Sequence, residues 1–283
     1  MLTVLDVVRK TAEFFAGKGI ESPRLNAELL VGHALGLPRM QLYLQFERSL
    51  SDAELEKIRS LVRRRGQREP LQHLTGRVEF FGLVLKVDRR ALIPRPETEF
   101  LVEKIVGRRA DSPPKTIVDL GTGTGAIALA LGKKWPEASV TAVDSSEEAL
   151  QLARENAAAA GLDGRVSFIK SDWFGAVAPE IRFELVIANP PYLTQAELAG
   201  SAPEVRDHEP AAALVACEDG IGDLRTILRE APAHLAPGGL LALETGLDQH
   251  AALLQIAAEY GWTGTESLRD LAGRDRYLFA WLE

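Results

Sequence analysis

Residues 116–125 read Thr-Ile-Val-Asp-Leu-Gly-Thr-Gly-Thr-Gly, and Ala-Ile-Ala-Leu-Ala-Leu follows at once from Ala126. A short, mostly apolar run, alternate glycines and then strong helix formers make a strand, a tight turn and a helix. Working outward, the same grammar repeats. Ser139–Val143, Val166–Ile169, Phe183–Ala188 and Leu240–Leu243 read as short buried strands. Helical stretches Ala126–Lys134, Glu147–Ala160 and Leu247–Tyr260 separate or follow them. Continuous apolar strands alternating with helices predict a parallel sheet covered on both faces. Glu266–Arg269 and Arg276–Trp281, joined by a short polar turn, predict an antiparallel pair completing it.

In such sheets ligands sit at the carboxyl ends of the strands, where glycines let the backbone turn sharply beside a ligand. Gly121, Thr122, Gly123, Thr124 and Gly125 are therefore cofactor-binding candidates. Asp144 closes the next strand, the place from which a carboxylate accepts both hydroxyl hydrogens of a ribose. Gly121-x-Gly123-x-x-Ala126 also fits a dinucleotide fingerprint, but Asp119 argues otherwise. A carboxylate two residues before the first glycine repels a pyrophosphate and suits a cation, such as the ammonium and sulfonium of S-adenosylmethionine. Asp172 and Trp173, after the third of these strands, can serve an adenine: the acid accepts from its amine and the indole stacks.

The fourth strand runs into Asn189-Pro190-Pro191-Tyr192. Two prolines stiffen the turn and remove two competing N–H donors. The Asn189 side-chain carbonyl and the Pro190 carbonyl can hold both hydrogens of a planar NH2 group, with Tyr192 offering a flat face. That arrangement presents a neutral nitrogen to an electrophilic methyl group, with positioning and dipoles in place of a strong base. Asn189, Pro190 and Tyr192 are the catalytic candidates, and all four residues 189–192 are substrate-binding candidates.

The first 75 residues have a different character. Leu5, Val8, Thr11, Ala12 and Phe15 recur at helical spacing. Ser22-Pro23 predicts the start of a second helix that buries Leu25, Leu29, Leu30 and Ala34. Ser51 and Glu54 predict a capping box for a third, ending near Gly66. Val78–Leu85 predicts a hairpin turning near Gly82. The expected organisation is a helical domain over 1–75, a hairpin linker over 76–92 and a catalytic domain over 93–283. Leu198–Ala213, rich in Ala and Pro, looks least ordered.

Bulk properties narrow the functions. A net charge of −7 speaks against a long nucleic acid as the main partner. Arg63, Arg64, Arg65 and Arg68 are the best candidates for a local basic face, although cations near a helix C-terminus also answer its macrodipole. No apolar run is long enough to cross a membrane. The N-terminus has charges every few residues and does not read as a signal peptide, and Cys217 is the only cysteine; the cytoplasm is expected. Asp207-His208-Glu209 on an extended chain would point to opposite faces, so no metal site is expected.

Asp119–Gly125 together with Asn189–Tyr192 resembles the Rossmann-like class I methyltransferases that modify amide or exocyclic-amine nitrogens. The wider pattern resembles the bacterial N5-glutamine methyltransferases of peptide chain release factors. It is carried by Pro70–Gly76, Glu79–Gly82, Ile93–Glu99, Gly121–Gly125, Asn189–Tyr192, Asp219-Gly220, Pro237–Gly239 and Glu244-x-Gly246. It departs from the family's glycine-rich version at Ala213–Gly220, where Cys217 and Glu218 stand. The resemblance implies a mixed seven-stranded sheet and a helical N-terminal domain that selects the substrate. It implies S-adenosylmethionine as cofactor and, as substrate, the glutamine of the Gly-Gly-Gln loop of class-1 release factors. A monomer is expected. The competing reading is a nucleic-acid adenine-N6 or guanine-N2 methyltransferase acting on a flipped base. For Arg95–Glu99 the alternatives are a plain helix start or a loop closing over the cofactor.

Overall fold

Seven strands form one sheet in the order β5-β4-β3-β6-β7-β9-β8. They are β3 (Thr116–Leu120), β4 (Ser139–Asp144), β5 (Val166–Lys170), β6 (Phe183–Ala188), β7 (Leu235–Glu244), β8 (Gly264–Arg269) and β9 (Asp275–Trp281). The preceding hairpin is β1 (Arg77–Phe80) and β2 (Leu83–Lys86). The structure, a computed structural model, describes residues 2–282, and the side chain of Glu218 lies outside the described residues. β3 to β7 run parallel, and β9 is antiparallel to both β7 and β8. The expected mixed sheet is present.

Alternation along the strands divides the core into two layers. Ile117, Leu185, Ile187 and Ala242 face the helices Pro96–Arg108 and Ala126–Lys134. Val118, Leu120, Val186, Ala188, Leu241 and Leu243 face Gly222–His234 and His250–Glu259. β7 is much longer than expected, ten residues against four. It takes in Pro237-Gly238-Gly239; Gly238 has φ +70°, and pairing with β6 shifts register between Phe183 and Leu185.

The chain forms two compact units. One comprises residues up to Arg77 with Ala202–His208; the other comprises Val78–Ser201 with residues from Glu209 onward. The boundary therefore differs from the expected three-part division. Phe80, Leu83 and Leu85 of the hairpin are buried in the core of the sheet unit, so 78–92 is part of that unit and not a free linker. The hairpin turns at Phe81-Gly82, whose φ values of 48° and 70° are both positive, as a tight two-residue turn requires. The stretch expected to be least ordered is built. Gln195–Gly200 is a helix with a Thr194–Glu197 capping box, Pro203–Arg206 is a helical turn, and Ala211–Ala213 is a 3-10 turn.

The helical unit contains Val4–Gly17, Pro23–Leu35, Arg39–Leu44, Asp52–Gly66 and Leu71–Thr75. The Ser51–Glu54 capping box forms as expected. Ser22 precedes the second helix but is left-handed (φ 46°) and makes no capping bond. That helix buries Ala27, Leu30, Val31 and Ala34, while Leu25 and Leu29 are 39% and 37% exposed. Its buried stripe is rotated from the expected one, because Glu28 is turned inward. The buried Glu28 carboxylate accepts from Arg24, Arg39 and the Tyr43 hydroxyl. These partners hold its pKa down against the burial that raises it.

The arginines of the candidate basic face are mostly committed within this unit. Arg64 pairs with Glu69. Arg65, buried, donates to Asn26 and pairs with Glu204. Arg68 pairs with the same carboxylate and donates to the Lys18 and Gly19 carbonyls. They organise the unit instead of forming an open cationic surface.

Candidate active site

Register places the functional residues in one row. Val143, Leu120, Ala188 and Leu243 are aligned across β4, β3, β6 and β7. One residue further along each strand stand Asp144, Gly121, Asn189 and Glu244. β3 and β6 flank the point where strand order reverses, the crevice such sheets use for ligands.

A cavity of about 350 Å³ opens there within the sheet unit. Gly121, Thr122, Gly123 and Thr124 line one side of it. Gly121, Gly123 and Gly125 all have positive φ (71°, 55° and 82°), a conformation that costs glycine little. Asp144 organises the loop directly: its Oδ2 accepts from the Gly123 N–H and its Oδ1 from the Ser146 N–H, both at 2.9 Å. Burial raises its pKa and these backbone donors oppose the rise. Asn156 donates to the Thr124 carbonyl and exchanges hydrogen bonds with both backbone groups of Lys86, tying the loop to β2.

Across from the loop lie Asp172 and Trp173. Trp173 is itself held left-handed (φ 43°), and its side chain hydrogen-bonds Asp223. A Cβ built on Gly121 would stand 3.5 Å from the indole, in the space between loop and ring. A bare loop, a flat indole and two carboxylates thus surround one cleft. The set fits an adenosine, with Asp144 placed for its ribose and Trp173 with Asp172 for its base.

The other end of the cavity is built from side-chain hydrogen bonds. Asn189 Nδ2 donates to Thr98 Oγ1 at 3.0 Å, and Thr98 donates to Glu244 Oε2 at 2.7 Å. Tyr192 donates its hydroxyl to Glu244 Oε1 at 3.2 Å, and Arg276 lies 3.5 Å from that hydroxyl. Glu244 is fully buried and burial raises its pKa, while Thr98, Arg276 and Tyr192 favour its charged form. Gln249 holds the following turn: it donates to the Tyr192 and Gly220 carbonyls and accepts from the Gly246 N–H. Any side chain at Gly220 would meet the Tyr192 carbonyl at 2.6 Å.

Of the residues singled out in sequence, Gly121, Thr122, Gly123, Thr124, Asp144, Asp172, Trp173, Asn189 and Pro191 line the cavity. Asp119, Gly125, Pro190 and Tyr192 adjoin that lining without being part of it. Asp119 corrects the expectation of a direct contact to a ligand cation. Its Oδ2 accepts from Thr122 Oγ1 and the Ala128 N–H, its Oδ1 is buried without a partner, and burial pushes its pKa up to about 7. It braces the glycine loop from beneath. Gly125 is closed in by the Ala153 side chain, 3.1 Å from where a Cβ would stand. Tyr192 presents its hydroxyl to Glu244, away from a simple stacking role. Arg95–Glu99 is the start of the helix Pro96–Arg108, and Arg95 and Thr98 border the cavity.

Sequence reasoning missed Thr98, Glu244, Gln249 and Asn156 as contributors to the site. Thr98 and Glu244 stood inside motifs that carry the resemblance, Ile93–Glu99 and Glu244-x-Gly246, but received no role there; Gln249 and Asn156 left no signal. Among the described residues no three His, Cys, Asp or Glu gather as metal ligands, and no helix is long and apolar enough to cross a membrane. Cys217 is exposed.

This sheet, with a glycine loop after one central strand and Asn-Pro-Pro-Tyr after its neighbour, defines a class I S-adenosylmethionine-dependent methyltransferase. Solved structures share the fold: the T. thermophilus 16S rRNA N2 G1207 methyltransferase (TM-score 0.53, 21% identity, 72% of this chain and 49% of that one) and a Pyrococcus furiosus methyltransferase (0.53, 19%, 71% and 89%). Residues 6–76 match the PrmC N-terminal domain family, and residues 96–204 match the methyltransferase small domain family. The chain is 43% identical to the release factor glutamine methyltransferase of Deinococcus radiodurans, covering 97% of each, and 41% identical to that of Chlorobaculum tepidum, covering 98% of this chain and 96% of that one. The chain belongs to the release factor glutamine methyltransferase family.

Proposed function

We propose that this enzyme transfers a methyl group from S-adenosylmethionine to the side-chain amide nitrogen of the glutamine in the Gly-Gly-Gln loop of class-1 release factors. It works in the cytoplasm and as a monomer. When bound, S-adenosylmethionine supplies an electrophilic methyl group. The chain's residues hold both partners. Asp144 accepts from the ribose hydroxyls, and Trp173 with Asp172 receives the adenine. Asn189 Oδ1 and the carbonyl between Pro190 and Pro191 accept the two hydrogens of the glutamine amide.

A glutamine amide is a poor nucleophile because its lone pair is delocalised into the carbonyl. The site therefore works by alignment and by carbonyl dipoles that stabilise positive charge growing on nitrogen. The observation that carries this reading is the pairing of Leu120 with Ala188, which sets the glycine loop beside Asn189. The rival reading, methylation of a nucleic-acid base, draws no support from the arginines near residue 65, whose charges are mostly paired within the helical unit. Single-turnover kinetics of Asn189→Ala test the assignment. Cofactor affinity should stay near wild type while the rate falls ~10²–10³-fold, as for loss of one oriented partner in such sites. A wild-type rate would reduce Asn-Pro-Pro-Tyr to a turn.

A further inference from the structure

We propose that Thr98 and Glu244 are positioning residues that fix which end of the Asn189 amide meets the substrate and strengthen its carbonyl as an acceptor. The inference rests on the reading of Asn189 given above and goes beyond it.

The logic follows from donor counting. Glu244 accepts at both oxygens, from Thr98 at 2.7 Å and from Tyr192 at 3.2 Å. Against the burial that opposes it, Arg276 and Tyr192 beside Glu244 favour its charged form. An ionised carboxylate has nothing to donate, so the single Thr98 hydroxyl proton goes to it. Thr98 Oγ1 then offers only lone pairs to Asn189, and only the NH2 end of that amide can answer, at 3.0 Å. The carbonyl end is turned away from Thr98. Asn189 lines the cavity and its NH2 is directed at Thr98, which leaves Oδ1 as the acceptor it can offer there.

The same chain acts electronically. An acceptor on the NH2 group draws the nitrogen lone pair further into the amide and makes Oδ1 more negative. A buried anion behind Thr98 reinforces this, since hydrogen bonds in series polarise one another where the dielectric is low. Thr98 and Glu244 are both buried, and Thr98 comes from the first turn of the helix opened by Pro96. The relay thus joins the ends of β6 and β7 to the start of that helix. A purely structural Thr98 would need only to fill space, whereas this role needs its hydroxyl.

The test uses the full-length enzyme with S-adenosylmethionine and a purified class-1 release factor, reading kcat, KM for the factor, and cofactor affinity by calorimetry. Thr98→Val should lower kcat about tenfold, the effect of one lost hydrogen bond to a charged group, with cofactor affinity within about twofold of wild type. Thr98→Ser, which keeps the hydroxyl, should restore most of kcat. Asn189→Ala with Thr98→Val should be no slower than Asn189→Ala alone. Asn189→Asp should not rescue Asn189→Ala, because it cannot donate to Thr98 and sets a second anion near Glu244. Glu244→Gln keeps an acceptor without the charge and should lower kcat several-fold.

A wild-type kcat in Thr98→Val, no recovery in Thr98→Ser, or additive losses in the double variant would each overturn the relay. If Thr98→Val fails to bind cofactor, Glu244→Gln decides: an unchanged kcat there overturns it. The parallel Asn189→Ala variant separates the two failures. A severe loss there beside a wild-type Thr98→Val removes only the relay. Full activity in Asn189→Ala removes the underlying reading as well.

Discussion

Asp144 and Asp119 are both acids beside the glycine loop, and their surroundings give them different work. Asp144 borders the cavity and also holds the Gly123 and Ser146 amides. Asp144→Ala should therefore weaken S-adenosylmethionine binding by at least ~1.5–3 kcal/mol, the scale of hydrogen bonds to a charged group. Asp144→Asn should be milder because it keeps one acceptor. Calorimetry finding unchanged affinity in Asp144→Ala would remove its ribose role. Asp119 is enclosed, with a pKa of about 7 against an ordinary 3.8. The folded chain holds that proton more tightly than the unfolded one. The stability it confers is complete below pH ~4 and is lost as pH rises through about 7. Asp119→Asn should remove this component, so the fall in melting temperature between pH 5 and pH 8 should be smaller than in wild type. An equal fall would show that Asp119 does not titrate there.

At the scale of elements, periodicity located the helices and strands wherever local pattern agreed with burial. Thr116–Leu120, Phe183–Ala188 and Ala126–Lys134 have the bounds expected of them. It failed where tertiary contacts overrode local preference. β7 continues through Pro237-Gly238-Gly239 because β6 pairs with it across a register shift. The second helix turns Glu28 inward because Arg24, Arg39 and Tyr43 converge on it from other positions. The site divides along the same line. Glycine loop, acid and Asn-Pro-Pro-Tyr are contiguous and carry their own chemistry, so they are legible in the sequence. Thr98 and Glu244 sit in recognisable motifs, but their roles, like that of Gln249, come from partners distant in the chain, which no local pattern encodes. Capping is local, and it gives a clean check. Ser51 accepts from the Glu54 amide and anchors the helix Asp52–Gly66. Ser51→Ala should cost ~1 kcal/mol of stability, read from denaturant unfolding followed by circular dichroism. No change would mean that the capping box carries no stability.

Taken whole, the molecule confines its cavity to one of two units. Every residue bordering the cavity belongs to the sheet unit, and the helical unit holds none of them. The helical unit instead displays Met40 and Leu44, 73% and 86% exposed on Arg39–Leu44. The resemblance implies that this unit selects the substrate, and these two side chains test it. Met40→Asp with Leu44→Asp should leave the fold and cofactor affinity intact and raise KM for the intact factor about tenfold or more, as for loss of an apolar contact patch. Methylation of a short Gly-Gly-Gln peptide should be unaffected. An unchanged KM for the intact factor would place selection elsewhere.

The methylated atom defines the enzyme. Enzyme, S-adenosylmethionine labelled in its methyl group and a purified class-1 release factor are incubated together, and fragmentation mass spectrometry locates the label. One methyl group is expected on the side-chain nitrogen of the Gly-Gly-Gln glutamine and none when that glutamine is replaced by alanine. Label on another residue, or label in RNA while the factor stays unmodified, would contradict it.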